Sequence, residues 1–178
     1  MIAVLNIHER VLPASQDAVG ALLDSLGGED DRLWPPDWPP VRFRGPLAVG
    51  VPGGHGPVRY VVSHYVPRRW IRCAFTGPRG FRGFYEFTVE RLGEHRSVLR
   101  SVLVLRPRGV RWLGWPLFFR PLHNAVFSAA LDRAEHALTG HVARPTTRTR
   151  YVGLLHALSV RLPPRLTESW TPEKSGSK

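Results

Sequence analysis

Five segments of alternating apolar and polar residues follow one another between residues 41 and 106. A period of two is typical of β-strands that are buried on one face. We interpret as strands the segments VRFRGPLAVGV, PVRYVVSHYV, RWIRCAFTG, GFYEFTVERL and HRSVLRSVLVLR. Their separators, PGGHG, VPRR, GPRGFRG and LGEH, are shorter than the dozen or so residues that a crossover between parallel strands needs. The sequence therefore predicts an antiparallel meander in which PGGHG is a hairpin loop.

A strand, a helix and a connector precede this meander. IAVLNIHERVL (2–12) is a β-branched and aliphatic run that ends at a proline, so we expect a first strand that joins the sheet. Residues 14–28 have helical spacing, with Ser15 or Gln16 near the N-cap and two glycines as the stop signal. Residues 29–40 contain four prolines. They predict an ordered connector with tryptophan anchors, because proline cannot continue a helix.

A long amphipathic helix is predicted from about residue 117 to residue 138, with Gly140 placed to end it. Its inner face offers small side chains, namely Ala125, Ala129, Ala130 and Ala134. Two explanations are open. Either the helix approaches the sheet closely, or the two surfaces leave a cavity that takes an apolar guest. The order of strand, helix, meander and long helix predicts an α+β class.

Several segments, in this order, resemble the SRPBCC superfamily of START-like or Bet v 1-like proteins, in its polyketide cyclase and lipid-transport branch. The segments are VRYVVSHYVPRRWIRCAF, GFYEFTVERLGEHRSVLRSVLVL and RPLHNAVFSAALDRAEHAL. The resemblance covers residues 1–140 and leaves 141–178 as an extension. It implies the helix-grip fold, a curved antiparallel β-sheet wrapped around a long C-terminal α-helix with a largely apolar cavity between them. Members bind lipids, sterols, polyketides or plant hormones, and some are aromatase/cyclases.

Strand alternation divides the residues into an outer face and an inner face, and the inner face would line that cavity. The residues expected to contact a ligand are Tyr60, Val62, His64, Ile71, Cys73, Phe75, Tyr85, Phe87, Leu99, Ser101 and Leu103 on strands and Leu122, Val126, Ala129 and Ala130 on the helix. Apolar walls with a few polar groups are typical of small-molecule sites. Each polar residue also has an ordinary structural alternative, such as a half-buried histidine bonded to a carbonyl.

For catalysis, the candidate acid or base is His64 together with Tyr60 or Tyr85. Glu9 would join them if its face of the first strand points inward. No nucleophile elbow, phosphate loop or metal motif is present in the sequence, and we expect neither a cofactor nor a metal. The sequence therefore predicts binding of a hydrophobic or amphipathic small molecule, with a polyketide cyclase or aromatase-like enzyme as the alternative.

The formal net charge is +11, and 23 of the 25 basic residues are arginines. They are scattered along strands, which favours a solvated sheet face over a specific nucleic-acid site. The extension 141–178 is basic, and YVGLLHALSVRL in it predicts a short amphipathic helix before a disordered tail. That helix has three possible roles: docking on its own domain, a contact between two copies, or weak contact of residues 148–165 with anionic membrane. The last would make the protein a membrane-surface lipid carrier.

The single cysteine excludes an internal disulfide framework. The first residues have an apolar start without a basic leader, which differs from a signal peptide. We therefore expect a cytoplasmic protein, either a monomer or a homodimer.

Overall fold

The computed structural model describes residues 4–79, 81–107 and 115–161. The strands are β1 Val4–Leu12, β2 Arg42–Phe43, β3 Pro52–His55, β4 Val58–Val66, β5 Trp70–Gly77, β6 Phe81–Arg91 and β7 Ser97–Pro107. The helices are α1 Gln16–Asp24, α2 Arg120–Thr139 and α3 Arg150–Arg161, and a π-helical turn, Trp115–Phe119, leads into α2. The predicted disordered tail lies outside the described residues.

All seven strands form one antiparallel sheet in the order β1-β7-β6-β5-β4-β3-β2. β1 pairs with β7 over its whole length, from Val4 opposite Leu105 to Leu12 opposite Ser97. The meander and the α+β class are therefore confirmed. The first strand closes the sheet at the edge opposite β2, and the long helix α2 lies against the inner face.

The prediction of a hairpin loop at PGGHG was wrong for all but its last residue, since only Gly56 lies in the turn. Residues 52–55 form β3, whereas only Arg42–Phe43 of the longer predicted strand 41–51 is extended. A Cβ at Gly53 would lie 2.6 Å from a ring carbon of Phe43. The glycine therefore lets the Phe43 ring lie directly across β3, and the missing side chain is a packing requirement in a strand.

The predicted helix ends have the expected caps. Ser15 Oγ accepts a hydrogen bond from the backbone N–H of Ala18, which satisfies one of the free donors of α1. Gly140 ends α2 at a φ of 78°, in the left-handed region that glycine adopts without strain. Both boundaries thus follow from local backbone chemistry.

The connector between α1 and β2 is held across the inner face. Asp31 accepts backbone hydrogen bonds from Leu33 and Trp34, and Trp34 and Trp38 are only 4% and 7% exposed. Arg133 of α2 donates to the carbonyl oxygens of Asp31 and Trp34. These contacts fix the connector to the long helix.

The helix α3 docks on this connector. Leu155 is buried, the His156 Nε2 atom lies 2.9 Å from the carbonyl oxygen of Asp37, and Arg148 forms an ion pair with Asp37. Among the three roles left open for this helix, docking on its own domain is the one that these contacts show. No helix among the described residues is long and apolar enough to cross a membrane.

A glycine inside α1 lets this helix lie directly against the turn between β4 and β5. A Cβ at Gly20 would lie 2.2 Å from the carbonyl oxygen of Arg68. Glycine to alanine normally stabilises a helix by up to about 1 kcal/mol. Here we expect Gly20→Ala to lower the unfolding free energy by about 1 to 3 kcal/mol, because the backbone must move apart. Chemical denaturation measures this effect.

Gly153 in α3 provides the matched control. Nothing lies within 4 Å of its added Cβ, so Gly153→Ala should leave the unfolding free energy unchanged or raise it by up to about 1 kcal/mol. Equal effects of the two substitutions would contradict the close packing of α1.

Candidate functional site

Aromatic rings from the sheet, the connector and α2 meet between helix and sheet. Phe127 of α2 is at their centre. Its ring centroid lies 5.4 Å from that of Phe87, 5.9 Å from Trp34, 6.2 Å from Tyr85 and 4.2 Å from His123. Such offset and edge-on contacts are the preferred geometries of aromatic pairs. We call this group of rings, with those described next, the interior cluster.

One end of the interior cluster carries two tyrosines and a histidine. The ring centroids of Tyr60 and Tyr85 are 5.1 Å apart, and His55 of β3 lies 5.7 Å and 6.4 Å from them. The two tyrosines are only 1% and 2% exposed. The short strand β3 pairs with β4 and thus places His55 beside the inward side chains of Tyr60 on β4 and Tyr85 on β6.

The other end lies between β1 and α2. The His8 ring stacks on Phe127 at 6.4 Å and lies 6.1 Å from His123. Asn6 donates to Asn124 Oδ1 at 2.6 Å, and its Nδ2 atom is 3.3 Å from His123 Nδ1. Phe127 therefore separates two polar ends of one aromatic layer.

Several polar atoms of this layer are buried without a hydrogen-bond partner among the described residues. They are His55 Nδ1, His8 Nε2, Ser101 Oγ, Tyr60 Oη and Tyr85 Oη; the two tyrosine hydroxyls lie near each other and near the Cys73 thiol, but not in hydrogen-bond geometry. A buried donor or acceptor left unsatisfied costs about 1 to 3 kcal/mol. Native structures contain few such groups, and each calls for a structural or functional reason. Five on one inner face therefore call for such a reason.

Burial keeps the ionisable groups of the interior cluster neutral near pH 7. It lowers the pKa of His55 to about 4, with the positive charge of Arg59 as a smaller cause. Burial also raises the pKa of Tyr85 well above its ordinary range and the pKa of the Cys73 thiol to about 12. The pKa of His8 is lowered, again mainly by burial. The layer therefore offers neutral donors and acceptors.

Solved structures share this architecture. By sequence, no family model and no curated protein matches the chain. In three dimensions it matches a START superfamily protein from Mycobacterium smegmatis with a TM-score of 0.55 and 10% identity, over 76% of this chain and 97% of that one. The chain has the START-like helix-grip fold. This agrees with the resemblance seen in the sequence.

Two further helix-grip structures are similar over most of their length. CalU16 from Micromonospora echinospora matches with a TM-score of 0.58 and 13% identity, over 88% of this chain and 84% of that one. Norcoclaurine synthase from Thalictrum flavum, solved with dopamine and hydroxybenzaldehyde, matches with a TM-score of 0.58 and 14% identity, over 80% and 90%. At these identities the likeness establishes the fold alone.

Most of the residues expected to contact a ligand are on the inner side of this helix-grip fold. Those that are buried are Tyr60, Val62, Ile71, Cys73, Tyr85, Phe87, Leu99, Ser101, Leu103, Val126 and Ala130. Phe75, Leu122 and Ala129 are half-buried. Their burial agrees with the strand alternation, and their contact with a ligand stays a prediction.

His64 does not face the interior, and its predicted orientation was wrong. Val62 pairs with Cys73 but His64 pairs with Arg72, so Ser63 is an extra residue in β4. Such a β-bulge reverses the alternation. The His64 ring is exposed and stacks on Trp70 at 4.9 Å, and Tyr65 takes the inward position, where its hydroxyl donates to Asp24. His64 is therefore removed as the acid or base of an interior reaction.

Glu9 also lies on the outer face. It is 58% exposed and forms an ion pair with Arg100 at 3.0 Å. No carboxylate of β1 therefore joins the interior cluster. The polar inward side chains of β1 are Asn6, His8 and Arg10, and Arg10 is neutralised by Asp132 at 2.6 Å and Glu135 at 2.8 Å.

The expectations from sequence missed His8, His55 and Phe127. His55 was hidden because its glycine-rich surroundings indicate a loop. His8 could have been found from alternation, but β1 is inverted, since its apolar Leu5 and Ile7 are 64% and 51% exposed. Phe127 follows His123 by one helical turn, and this spacing could have placed it on the inner face.

The open cavity suggested by the alanines is not confirmed. Ala130 and Ala134 are completely buried, and Cα atoms of α2 come within 8 Å of those of β1 and α1. Small side chains therefore permit close approach here. Two cavities, of about 480 and 200 Å³, are open at the surface of the described part of the chain, one beside Phe43 and Tyr65 and one beside Ala125 and Val152. Neither is lined by the interior cluster.

The lowered pKa of His55 predicts a loss of stability in mild acid. Between the ordinary pKa of 6.5 and about 4, the unfolded chain binds a proton that the folded protein does not. The unfolding free energy should therefore fall as the pH falls through this window, by about 2 to 3 kcal/mol for His55. Denaturation at a series of pH values measures the effect.

His55→Gln should remove this part of the acid sensitivity, leaving the part due to His8 and His123, whose pKa values are also lowered mainly by burial. His64→Gln, on the exposed face, should leave the His55 loss in place. An unchanged pH profile for His55→Gln would contradict a neutral, buried His55.

Proposed function

We propose that the helix-grip interior binds an uncharged amphipathic small molecule, with an apolar skeleton and hydroxyl or carbonyl groups. One observation carries this proposal. Polar atoms that point into the interior are shielded from solvent and have no partner among the described residues. These unsatisfied polar atoms destabilise the free protein. A ligand that forms hydrogen bonds with them removes this cost, and the difference contributes to its affinity.

The residue types support a binding role over simple packing. Tyr60 and Tyr85 occupy positions where phenylalanine would fill nearly the same volume without a hydroxyl to satisfy. Protein interiors normally pair such hydroxyls. Departures from stable packing are expected at functional sites, where a ligand restores the missing interactions.

The neutral state of the cluster supports an uncharged guest. His55 is deprotonated and Tyr85 protonated near pH 7, and Arg10, the charged inward residue of β1, is held by two carboxylates. An ion in this layer would lose its hydration without gaining an opposite charge, which costs several kcal/mol or more. Hydroxyl and carbonyl groups avoid that cost.

A guest must displace some of the rings, because these fill the space between helix and sheet. Trp34 covers the layer from the connector and contacts both His55 and Phe127. Movement of the connector would open the layer at its tyrosine end. A structural neighbour, norcoclaurine synthase, was solved with dopamine and hydroxybenzaldehyde. The aldehyde is of the neutral, oxygen-bearing aromatic kind proposed here, whereas dopamine carries an amine.

The same residues support an acid–base reaction as a second candidate, of the cyclase or aromatase type. The His55 ring lies near both tyrosine rings, so a neutral imidazole and two protonated phenols face one volume. Such groups exchange protons with carbonyl and hydroxyl oxygens when a substrate is bound between them. Formation of an aromatic product from a linear poly-β-ketone, with loss of water, would favour this enzyme over a binding protein if it is lost in His55→Phe.

Native mass spectrometry of the protein from its own host, followed by a matched series of probes, tests the proposal. 2-Naphthol, naphthalene and 2-naphthoate share one ring system and differ in a neutral hydroxyl, no polar group and a negative charge. We expect 2-naphthol to bind most tightly in calorimetry and 2-naphthoate most weakly. Equal affinities, or a preference for the anion, would contradict a neutral polar site.

The unpaired hydroxyls predict opposite effects on stability and affinity. Tyr60→Phe and Tyr85→Phe should each leave the unfolding free energy unchanged or raise it by up to about 1 kcal/mol, because an unsatisfied group is removed. Each should also weaken binding of 2-naphthol, or of the co-purifying ligand, by roughly fivefold to tenfold. Thermal unfolding and calorimetry measure the two effects.

Tyr65→Phe is the matched control. The Tyr65 hydroxyl has a partner, Asp24 Oδ1 at 2.9 Å, outside the interior cluster. Its loss should destabilise the protein by about 1 kcal/mol and leave ligand affinity unchanged. If Tyr60→Phe and Tyr85→Phe also destabilise the protein and leave affinity unchanged, their hydroxyls are structural and the proposal is wrong.

A further inference from the structure

A second apolar feature lies on the outside of the molecule, away from the interior cluster. It comes from two segments, the turn before α2 and the helix α3. In the turn, Leu117 is 58% and Phe118 is 50% exposed. In α3, Tyr151, Leu154 and Leu158 are 46%, 60% and 52% exposed. Large apolar side chains exposed together usually mark a contact surface.

The two segments form one continuous surface. The Tyr151 hydroxyl donates to the carbonyl oxygen of Leu117, which joins the start of α3 to the turn. Tyr151, Leu154 and Leu158 are three and four residues apart, so they follow one stripe of the helix. We call Leu117, Phe118, Tyr151, Leu154 and Leu158 the apolar ridge.

The apolar ridge is not the face that docks α3. Docking uses Leu155, which is 7% exposed, and His156, which contacts the connector at Asp37 and Trp38. The ridge residues point to solvent. The helix therefore has two apolar sides, and one of them is unpartnered among the described residues.

The two sequence segments that carry the apolar ridge contain basic residues but no acidic ones. The sequence contains no aspartate or glutamate from residue 95 to 131 or from 136 to 167, and both ridge segments lie within these ranges. Arg120 follows the turn directly, and Arg150 begins α3; both are exposed. Neither forms a salt bridge with a described residue. A binding partner should therefore present an apolar layer to the ridge side chains and negative charge to the flanking arginines.

We propose that the apolar ridge rests on the surface of an anionic lipid bilayer. Leucine, phenylalanine and tyrosine side chains would enter the boundary between headgroups and acyl chains, while the arginines pair with lipid phosphates. The ridge offers few directional polar groups, which suits a fluid surface better than a folded protein partner. This inference does not depend on the interior ligand, because the two surfaces share no residue.

Co-sedimentation of the full chain with vesicles tests the proposal. One set contains equal parts of phosphatidylglycerol and phosphatidylcholine, and the other contains phosphatidylcholine alone. We expect the protein to bind the anionic vesicles, to bind the neutral ones at least tenfold more weakly, and to dissociate as salt is added. Failure to bind the anionic vesicles at low salt overturns the proposal.

Substitutions on the ridge separate its contribution from general charge. The double variant Leu154→Gln, Leu158→Gln retains good helix formers and should weaken vesicle binding by about tenfold or more, because two buried leucines are lost. Phe118→Gln tests the turn independently. Arg150→Gln and Arg120→Gln should each weaken binding by about fivefold.

Leu5→Thr combined with Ile7→Thr is the matched control, since these side chains are equally exposed but lie on β1. This control should bind vesicles like the unaltered protein. Equal loss in the control and the ridge variants overturns the proposal. A third result would also overturn it. If the unaltered protein does not bind vesicles but self-associates with rising concentration, and Leu154→Gln, Leu158→Gln abolishes this association, the ridge is a contact between copies.

Discussion

The position of Phe127 is the constraint on which the described interior depends. Its ring contacts rings from β1, the connector and β6, and it lies on a helix whose inner face also carries the buried Ala130 and Ala134. The small residues let α2 approach β1 and α1, and the large one then fills the layer that remains. Truncating such a side chain costs about 3 to 5 kcal/mol in a packed core. The two polar ends of the interior cluster are held at their separation by this single ring.

The fold was predictable where one local signal decided the structure. Alternating strands and separators too short for crossovers require an antiparallel meander, and Ser15 and Gly140 mark helix ends through their own backbone chemistry. The signal failed where a tertiary contact overrides it. Glycines at positions 53 and 54 indicate a turn, yet the Phe43 ring needs a flat strand beneath it. The sequence around these glycines contains no signal that an aromatic ring from another strand packs against them.

The candidate site was predictable in part for the same reason. Alternation correctly turned Tyr60, Cys73 and Tyr85 inward, because the pairing is regular from Tyr60 to Val62 and between β5 and β6. One extra residue, Ser63, reversed the order and carried His64 outside. The middle of β1 is the opposite case, since its apolar Leu5 and Ile7 face outward and its polar Asn6 and His8 face the helix. A rule that apolar residues point inward therefore cannot identify His8. Its inward position is explained only by its contacts with His123 and Phe127 of α2.

The way in which Arg133 holds the connector has a consequence for how this protein could diversify. Its guanidinium bonds to main-chain oxygens of residues 31 and 34, and every residue type presents such an oxygen. These hydrogen bonds therefore do not depend on which side chains residues 31 and 34 carry. Substitution at Trp34 would therefore reshape the rim over the interior without releasing the segment.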